Sequence, residues 1–180
     1  MAIQIFPADG GTDLQTVVDG MNYAVRNGAE VMNLSIGASF TEMFTAPIVA
    51  AHAKGMVVVS AAGNSARALT DSYWESPVCN DGNEPLRDNY VIGVAYTDRG
   101  DAKGGYSNWD ASTPRHFVDV SAPGDQIYGP ACYAPGVPGF DRYFYTNTGT
   151  SFAAPMVAGA AALVKAALPG LSVDAIIARI

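Results

Sequence analysis

The sequence predicts an α/β fold built on a mostly parallel sheet, and two observations carry that prediction. Short apolar runs of strand character alternate along the chain with stretches of helical spacing, and their connections have the lengths that βαβ units need. Hydrophobic residues make up 49% of the 180 and charged residues only 15%, a composition with a real core to bury rather than that of a disordered tail.

Taken in order, Ala2–Phe6 alternates weakly and reads as a buried strand. Thr12-Asp13-Leu14-Gln15 is a capping-box pattern, followed by Leu14, Val17, Val18, Met21, Ala24 and Val25 at helical spacing, with Gly28 as the stop. Glu30–Ile36 is the next strand, closing on Gly37-Ala38-Ser39. A second helix falls between Thr41 and Lys54, starting near Pro47 and ending at Gly55. Met56–Ala61 is the clearest buried strand and runs into Ala62-Gly63-Asn64. A polar loop with Tyr73, Trp74 and Cys79 leads to the strand Tyr90–Ala95, and a Gly- and Asp-rich loop leads to Phe117–Ser121. Pro135–Gly139 is a turn, Arg142–Thr146 a strand, and Thr150–Leu168 a helix so apolar all round that it should be buried. Pro169-Gly170 ends it, and Ser172 caps a last short helix. No repeat, low-complexity tract or linker interrupts the chain, so residues 1–180 read as one domain.

Composition narrows the function. A net charge of −7 without any Lys/Arg cluster argues against nucleic acid as a partner. No apolar run reaches a membrane span free of Gly and charge, so no membrane partner is expected. Met1–Pro7 has neither the basic start nor the cleavage site of a signal peptide and reads as core. Cys79 and Cys132 can pair in an oxidising compartment or stand as two buried thiols.

The most informative stretch is Asn147-Thr148-Gly149-Thr150-Ser151-Phe152-Ala153-Ala154-Pro155-Met156-Val157-Ala158-Gly159. Gly149 can supply a backbone geometry that a β-carbon would obstruct, and Thr150 or Ser151 can cap the helix. A hydroxyl there sits where backbone N–H groups and the helix dipole favour negative charge, which suits a nucleophile whose reaction passes through an oxyanion. Gly-Thr-Ser by itself is an ordinary cap. The whole string, however, resembles the serine motif of the subtilisin-like (subtilase) proteases, G-T-S-x-[SA]-x-P, with Ser151 on the nucleophile.

Other segments extend the resemblance over nearly the whole chain. Asn33 through Gly37 resembles the subtilase strand whose backbone edge pairs with the substrate; Ser35, Ile36 and Gly37 fall on it. Ala61-Ala62-Gly63-Asn64 resembles the segment that borders the first specificity pocket, which maps the side-chain oxyanion donor onto Asn64. Three residues as small as Ala61, Ala62 and Gly63 make an open, apolar pocket with room for a large apolar side chain. Asp119-Val120-Ser121-Ala122-Pro123-Gly124 resembles the structural D-x-x-A-P-G strand. The resemblance implies a three-layer sheet with helices on both faces, a serine endopeptidase activity on polypeptide substrates, and an extracellular or cell-envelope location. It requires no cofactor. Calcium is implied only as a loop ligand; Asp98, Asp101 and Asp110 are the carboxylates on offer, and alone they read as solvated turn residues.

A serine nucleophile needs a base and a carboxylate to orient it. The family's D-[ST]-G and H-G-[TS]-H motifs do not occur here. His52 lies in Ala-Ala-His-Ala-Lys, on the outer face of a helix, and His116 in a polar loop, Pro-Arg-His-Phe; neither stands in the histidine context of the family. The expectation is a subtilase catalytic domain truncated at both ends, inactive alone, whose partner is the N-terminal part of its own domain. The alternative is a pseudoprotease acting as a binding module, against which Ser151 and Asn64 both weigh. An α/β-hydrolase elbow, G-x-S-x-G, is missed by one residue at Gly149–Ala153, and that fold's histidine would have to follow Ser151, where none occurs. Phosphate-binding glycine motifs and zinc spacings do not occur.

Overall fold

The computed structural model describes residues 1–6, 11–70, 72–81, 90–110, 116–131, 135–136 and 143–180. The described elements run α1 (Leu14–Arg26), β1 (Val31–Leu34), β2 (Ala38–Ser39), a 3₁₀ turn (Glu42–Phe44) leading into α2 (Thr45–Ala53), β3 (Val57–Ala61), β4 (Ala68–Leu69), β5 (Glu75–Ser76), β6 (Val91–Thr97), β7 (Trp109–Asp110), β8 (Val120–Pro123), β9 (Ile127–Pro130), β10 (Phe144–Asn147), α3 (Thr150–Ala167) and α4 (Val173–Ile177).

The main sheet has the order β1-β3-β6-β8, and every pairing in it is parallel. Successive side chains of a strand point to opposite faces, and β3 distributes its residues accordingly. Val57, Val59 and Ala61 pack with Ile92, Val94 and the α3 residues Ala153, Ala154, Val157, Ala158 and Ala161, along with Val173 and Ile176 of α4. Val58 packs with Val91 on the other face, against Val17, Val18 and Met21 of α1 and Ile48 and Ala51 of α2. Covered on both faces, β3 and β6 are buried at every position, which is why they read as continuous apolar runs. The fold is therefore a three-layer α/β sandwich with helices on both sides of a parallel sheet, as expected.

Several local expectations shift. Ala2–Phe6 forms no ladder among the described residues; Ile3 and Ile5 instead lie against Gly20 of α1 and join its core. Asp13, not Thr12, caps α1: its carboxylate accepts the Thr16 N–H at 2.7 Å, and that hydrogen bond lowers its pKa. The Thr12 hydroxyl goes to the Ile5 carbonyl. Strand β8 starts at Val120 rather than Phe117, because the Phe117 and Val118 N–H groups are taken by Asp110 Oδ1. The strand expected at Arg142–Thr146 is β10, antiparallel to β9, and Arg142 lies outside the described residues.

The largest correction concerns α3. By length and mean hydropathy it could cross a bilayer, although Gly159 and Lys165 interrupt its apolar run as read from the sequence; the expectation that changes is its all-round burial. It is buried on one face only, which packs against the sheet, while Met156, Leu163 and their neighbours are exposed. Its apolar composition reflects small residues that let a helix approach a sheet closely on that face.

Candidate active site

The site forms where the C-terminal ends of β1 and β3 meet the N-terminus of α3, the usual position for ligands in an open parallel sheet. α3 begins without a side-chain cap. Its N-cap is Gly149, at φ 150°, and neither Thr150 nor Ser151 fills that role as expected. A β-carbon on Gly149 would sit 3.3 Å from both Oδ1 and Nδ2 of Asn64, so the turn requires glycine for its backbone and for its close neighbour.

Thr150 instead ties the two segments together. Asn64 Oδ1 accepts from the Thr150 N–H at 2.9 Å and the Thr150 hydroxyl at 3.1 Å, and Thr150 Oγ1 accepts the Gly63 N–H at 3.2 Å. With its oxygen held by these donors, the Asn64 amide presents Nδ2 as its remaining donor. The Ser151 N–H lies in the first turn of α3, where no carbonyl four residues back belongs to the helix. Ser151 Oγ donates to the Ser35 carbonyl at 3.2 Å, and Ser35 Oγ donates to the Ser151 carbonyl at 2.8 Å.

Ile36, Gly37, Ala61, Gly63, Asn64 and Ser151 all line one cleft of about 840 Å³. Ala62 does not: it is fully buried, donates its N–H to Val94 O and accepts from Asn108 Nδ2 at 2.9 Å, so it supports the wall from behind. Ser35 reaches the site through its hydrogen bonds to Ser151. A second cavity, about 570 Å³, shares Ile36, Gly37 and Ala38 with the first and is lined by Leu14, Val17 and Phe44.

Sequence reasoning missed three residues here. Asn108 is fully buried and accepts the Ser65 and Arg67 N–H groups while donating to Ala62, which fixes the course of residues 62–67. Glu75 and Tyr73 line the cleft from a different loop, joined to it by the antiparallel pair β2–β5. A polar residue in a loop carries no periodic signal, and the two-residue β2–β5 pairing, Ala38↔Ser76 and Ser39↔Glu75, brings that loop to the site.

Neither histidine lies in the cleft. The expectation for His52 is an exposed helix face; its side chain is only 23% exposed, packs on Tyr90 with ring centroids 4.4 Å apart, and meets Asp174 at 2.8 Å. His116 is exposed and lies 3.3 Å from Asp110. The calcium expectation finds no cage. Asp98 Oδ1 accepts the Gly100 and Ala102 N–H groups, Asp110 accepts Phe117 and Val118, and no three His, Cys, Asp or Glu residues converge among the described residues. The pairing of Cys79 with Cys132 lies outside the described residues, since Cys132 is not among them.

This parallel three-layer sheet, with a small-residue helix entering at its strand ends, is a subtilisin-like fold. Residues 1–180 match the Subtilase family throughout, and the chain belongs to that family. It is 31% identical over 173 residues to "Subtilisin DY" of Bacillus licheniformis, covering 95% of this chain and 55% of that protein. It is 34% identical over 165 residues to the "Thermophilic serine proteinase" of Bacillus sp. (strain AK1), covering 91% and 35%. A crystal structure of a cold adapted subtilisin-like serine proteinase aligns with a TM-score of 0.77 and 25% identity, covering 97% of this chain and 56% of that one. The chain thus spans about half the length of these relatives, or less.

Proposed function

We propose that the protein containing this chain is a serine endopeptidase that hydrolyses polypeptides through an acyl-enzyme on Ser151. The observation that supports it is the meeting of Ser151, the Asn64 amide and the first turn of α3 at one end of the cleft. Ser151 Oγ attacks the scissile carbonyl, and its proton passes to a base. Negative charge develops on the carbonyl oxygen, and Asn64 Nδ2 and the Ser151 N–H are the donors for it. The leaving amine takes the proton, and water then cleaves the ester. Ser35, Ile36 and Gly37 pair with the substrate backbone, while Ala61 and Gly63, with Ala62 behind them, border the pocket for the residue whose carbonyl is attacked. The base and its carboxylate come from outside this chain, because neither His52 nor His116 lines the cleft that holds Ser151. The same reading implies an extracellular or cell-envelope location.

The test is hydrolysis of a peptide library by the intact encoded protein and by its Ser151→Ala variant, with fluorophosphonate labelling mapped by mass spectrometry. Hydrolysis that disappears in Ser151→Ala, and label on Ser151, are expected. Full activity in the variant would put the nucleophile elsewhere.

A second reading concerns residues 1–180 alone, which the positions of both histidines favour as inactive and able only to bind. A serine without a base is a poor nucleophile at neutral pH. Ser151 in the isolated chain should label no faster than free serine; rapid stoichiometric labelling would mean a base lies within the chain.

A further inference from the structure

The cleft is lined by polar and apolar residues in comparable measure and holds one charge. Among the described residues that line it, Glu75 is the charged one. Its Oε1 accepts hydrogen bonds from Tyr73 Oη at 2.5 Å and Ser65 Oγ at 3.1 Å, which hold the carboxylate in one orientation. Its Oε2 is turned toward the two glycines bordering the pocket. A methyl group built on Gly63 would lie 2.1 Å from Oε2, and one built on Gly37 3.8 Å away. Gly37 and Gly63 belong to the two segments that flank Ser151, so this oxygen lies between them, where side chains would otherwise block access to it.

No described cation neutralises Glu75. Arg67 sits over the Tyr73 ring, 5.0 Å from its centroid, and none of the ion pairs formed among the described residues includes Glu75. The backbone is fixed as well: Ser39 pairs with Glu75, and Glu75 O accepts the Cys79 N–H at 2.9 Å. A carboxylate between glycine backbones, beside the aromatic rings of Phe40 and Trp74, sits in surroundings less polarisable than water. Its attraction for a cation is therefore stronger than at an open surface.

We infer that Glu75 makes the first specificity pocket select basic side chains, so that the protein cleaves after Lys or Arg. This inference rests on the endopeptidase reading and replaces the sequence expectation of a pocket for large apolar residues. A Lys ammonium or Arg guanidinium entering between Gly37 and Gly63 would meet Oε2, and its aliphatic stem would lie along Ala61 and the glycine backbones. A polar role confined to holding Ser65 and Tyr73 needs only an oxygen acceptor, and glutamine would supply one equally well.

That difference defines the test. The intact encoded protein is given matched peptides differing only in the residue before the scissile bond: Lys against norleucine, and Arg against citrulline. Preferences of about tenfold to a hundredfold in kcat/KM for the charged member are expected, the range of a hydrogen bond to a charged group. In Glu75→Gln the Lys-to-norleucine ratio should fall toward one. A ratio near or below one in the unsubstituted protein overturns the inference, as does a ratio that Glu75→Gln leaves unchanged. The substrate pairs need no variant, so a poorly folded Glu75→Gln protein would not rescue the idea. If no peptide is hydrolysed, the endopeptidase reading fails, and equilibrium binding to the Ser151→Ala protein decides the pocket: peptides ending in Lys should bind about tenfold or more tightly than those ending in norleucine, and equal binding overturns the inference.

Discussion

Ser35 donates its hydroxyl to the carbonyl oxygen of Ser151 at 2.8 Å, and the position of Pro155 explains why. In an α-helix the Ser151 carbonyl would accept from the N–H four residues on, but residue 155 is proline and has none. Ser35, at the end of β1, supplies the missing donor and so couples the strand end to the first turn of α3. Ser35→Ala should lower stability by about 0.5–1.5 kcal/mol, the net worth of a part-buried hydrogen bond. The double variant with Pro155→Ala, which restores a backbone donor, should recover part of the loss. Urea melts of the four proteins of the cycle measure this; strictly additive effects would mean the two residues do not share that carbonyl.

Asn64 carries two loads on one amide. Its Oδ1 anchors Thr150, while Nδ2 is the proposed oxyanion donor. Asn64→Ala should reduce kcat by about 10²–10³ with little change in KM, the loss already known for removal of such a donor in subtilisin, a member of the same family. It should also destabilise the fold by about 1–3 kcal/mol, because the Thr150 N–H loses its acceptor. A variant with unchanged kcat would remove Asn64 from the oxyanion site.

Gly63 is required twice over. Its φ is +98°, and a β-carbon would lie 2.1 Å from Glu75 Oε2 and 2.4 Å from Asn108 Nδ2. Asn108 is buried and bonded on both sides, so it cannot move aside freely. Gly63→Ala should therefore cost at least about 2 kcal/mol from backbone strain and overlap together. A shift in unfolding free energy below about 0.5 kcal/mol would be inconsistent with this geometry.

Burial pushes the Cys79 thiol from an ordinary 9.0 up to about 12; the Glu75 N–H opposes the shift, and the Glu75, Asp110 and Asp81 charges add to it. The stability this group contributes is fully present below pH 9, where folded and unfolded chains both keep the proton. Between about pH 9 and 12 the unfolded thiol ionises and the folded one does not, so stability falls as pH rises through that window. At pH 8, alkylation mapped to residue 79 should be at least about a hundredfold slower in the folded protein than in urea, since little thiolate forms in the buried state. Equal rates would show the thiol to be open to solvent.

The strands at 57–61 and 91–97, the helices at 14–26 and 150–167, and the meeting of the Gly149-Thr150-Ser151 and Asn64 segments that the family resemblance implied were legible in the chain itself. Their signals are local: continuous apolar runs, helical periodicity, and residue types whose roles depend on near neighbours. Tertiary structure decided the rest. Thr12 and Asp13 are equally good caps on paper, and the Ile5 carbonyl draws Thr12 away. α3 looks apolar all round, yet only the face opposite the sheet strands has anything to bury against. Glu75 stands far before Ser151 in a loop without periodicity, and nothing local distinguishes it from a solvated surface carboxylate. Its place beside the cleft follows from two residues of pairing between β2 and β5 and from the lack of side chains on Gly37 and Gly63. Local sequence sets backbone preference and burial periodicity, but the charge that a substrate would meet is fixed only when segments distant in the chain are brought together.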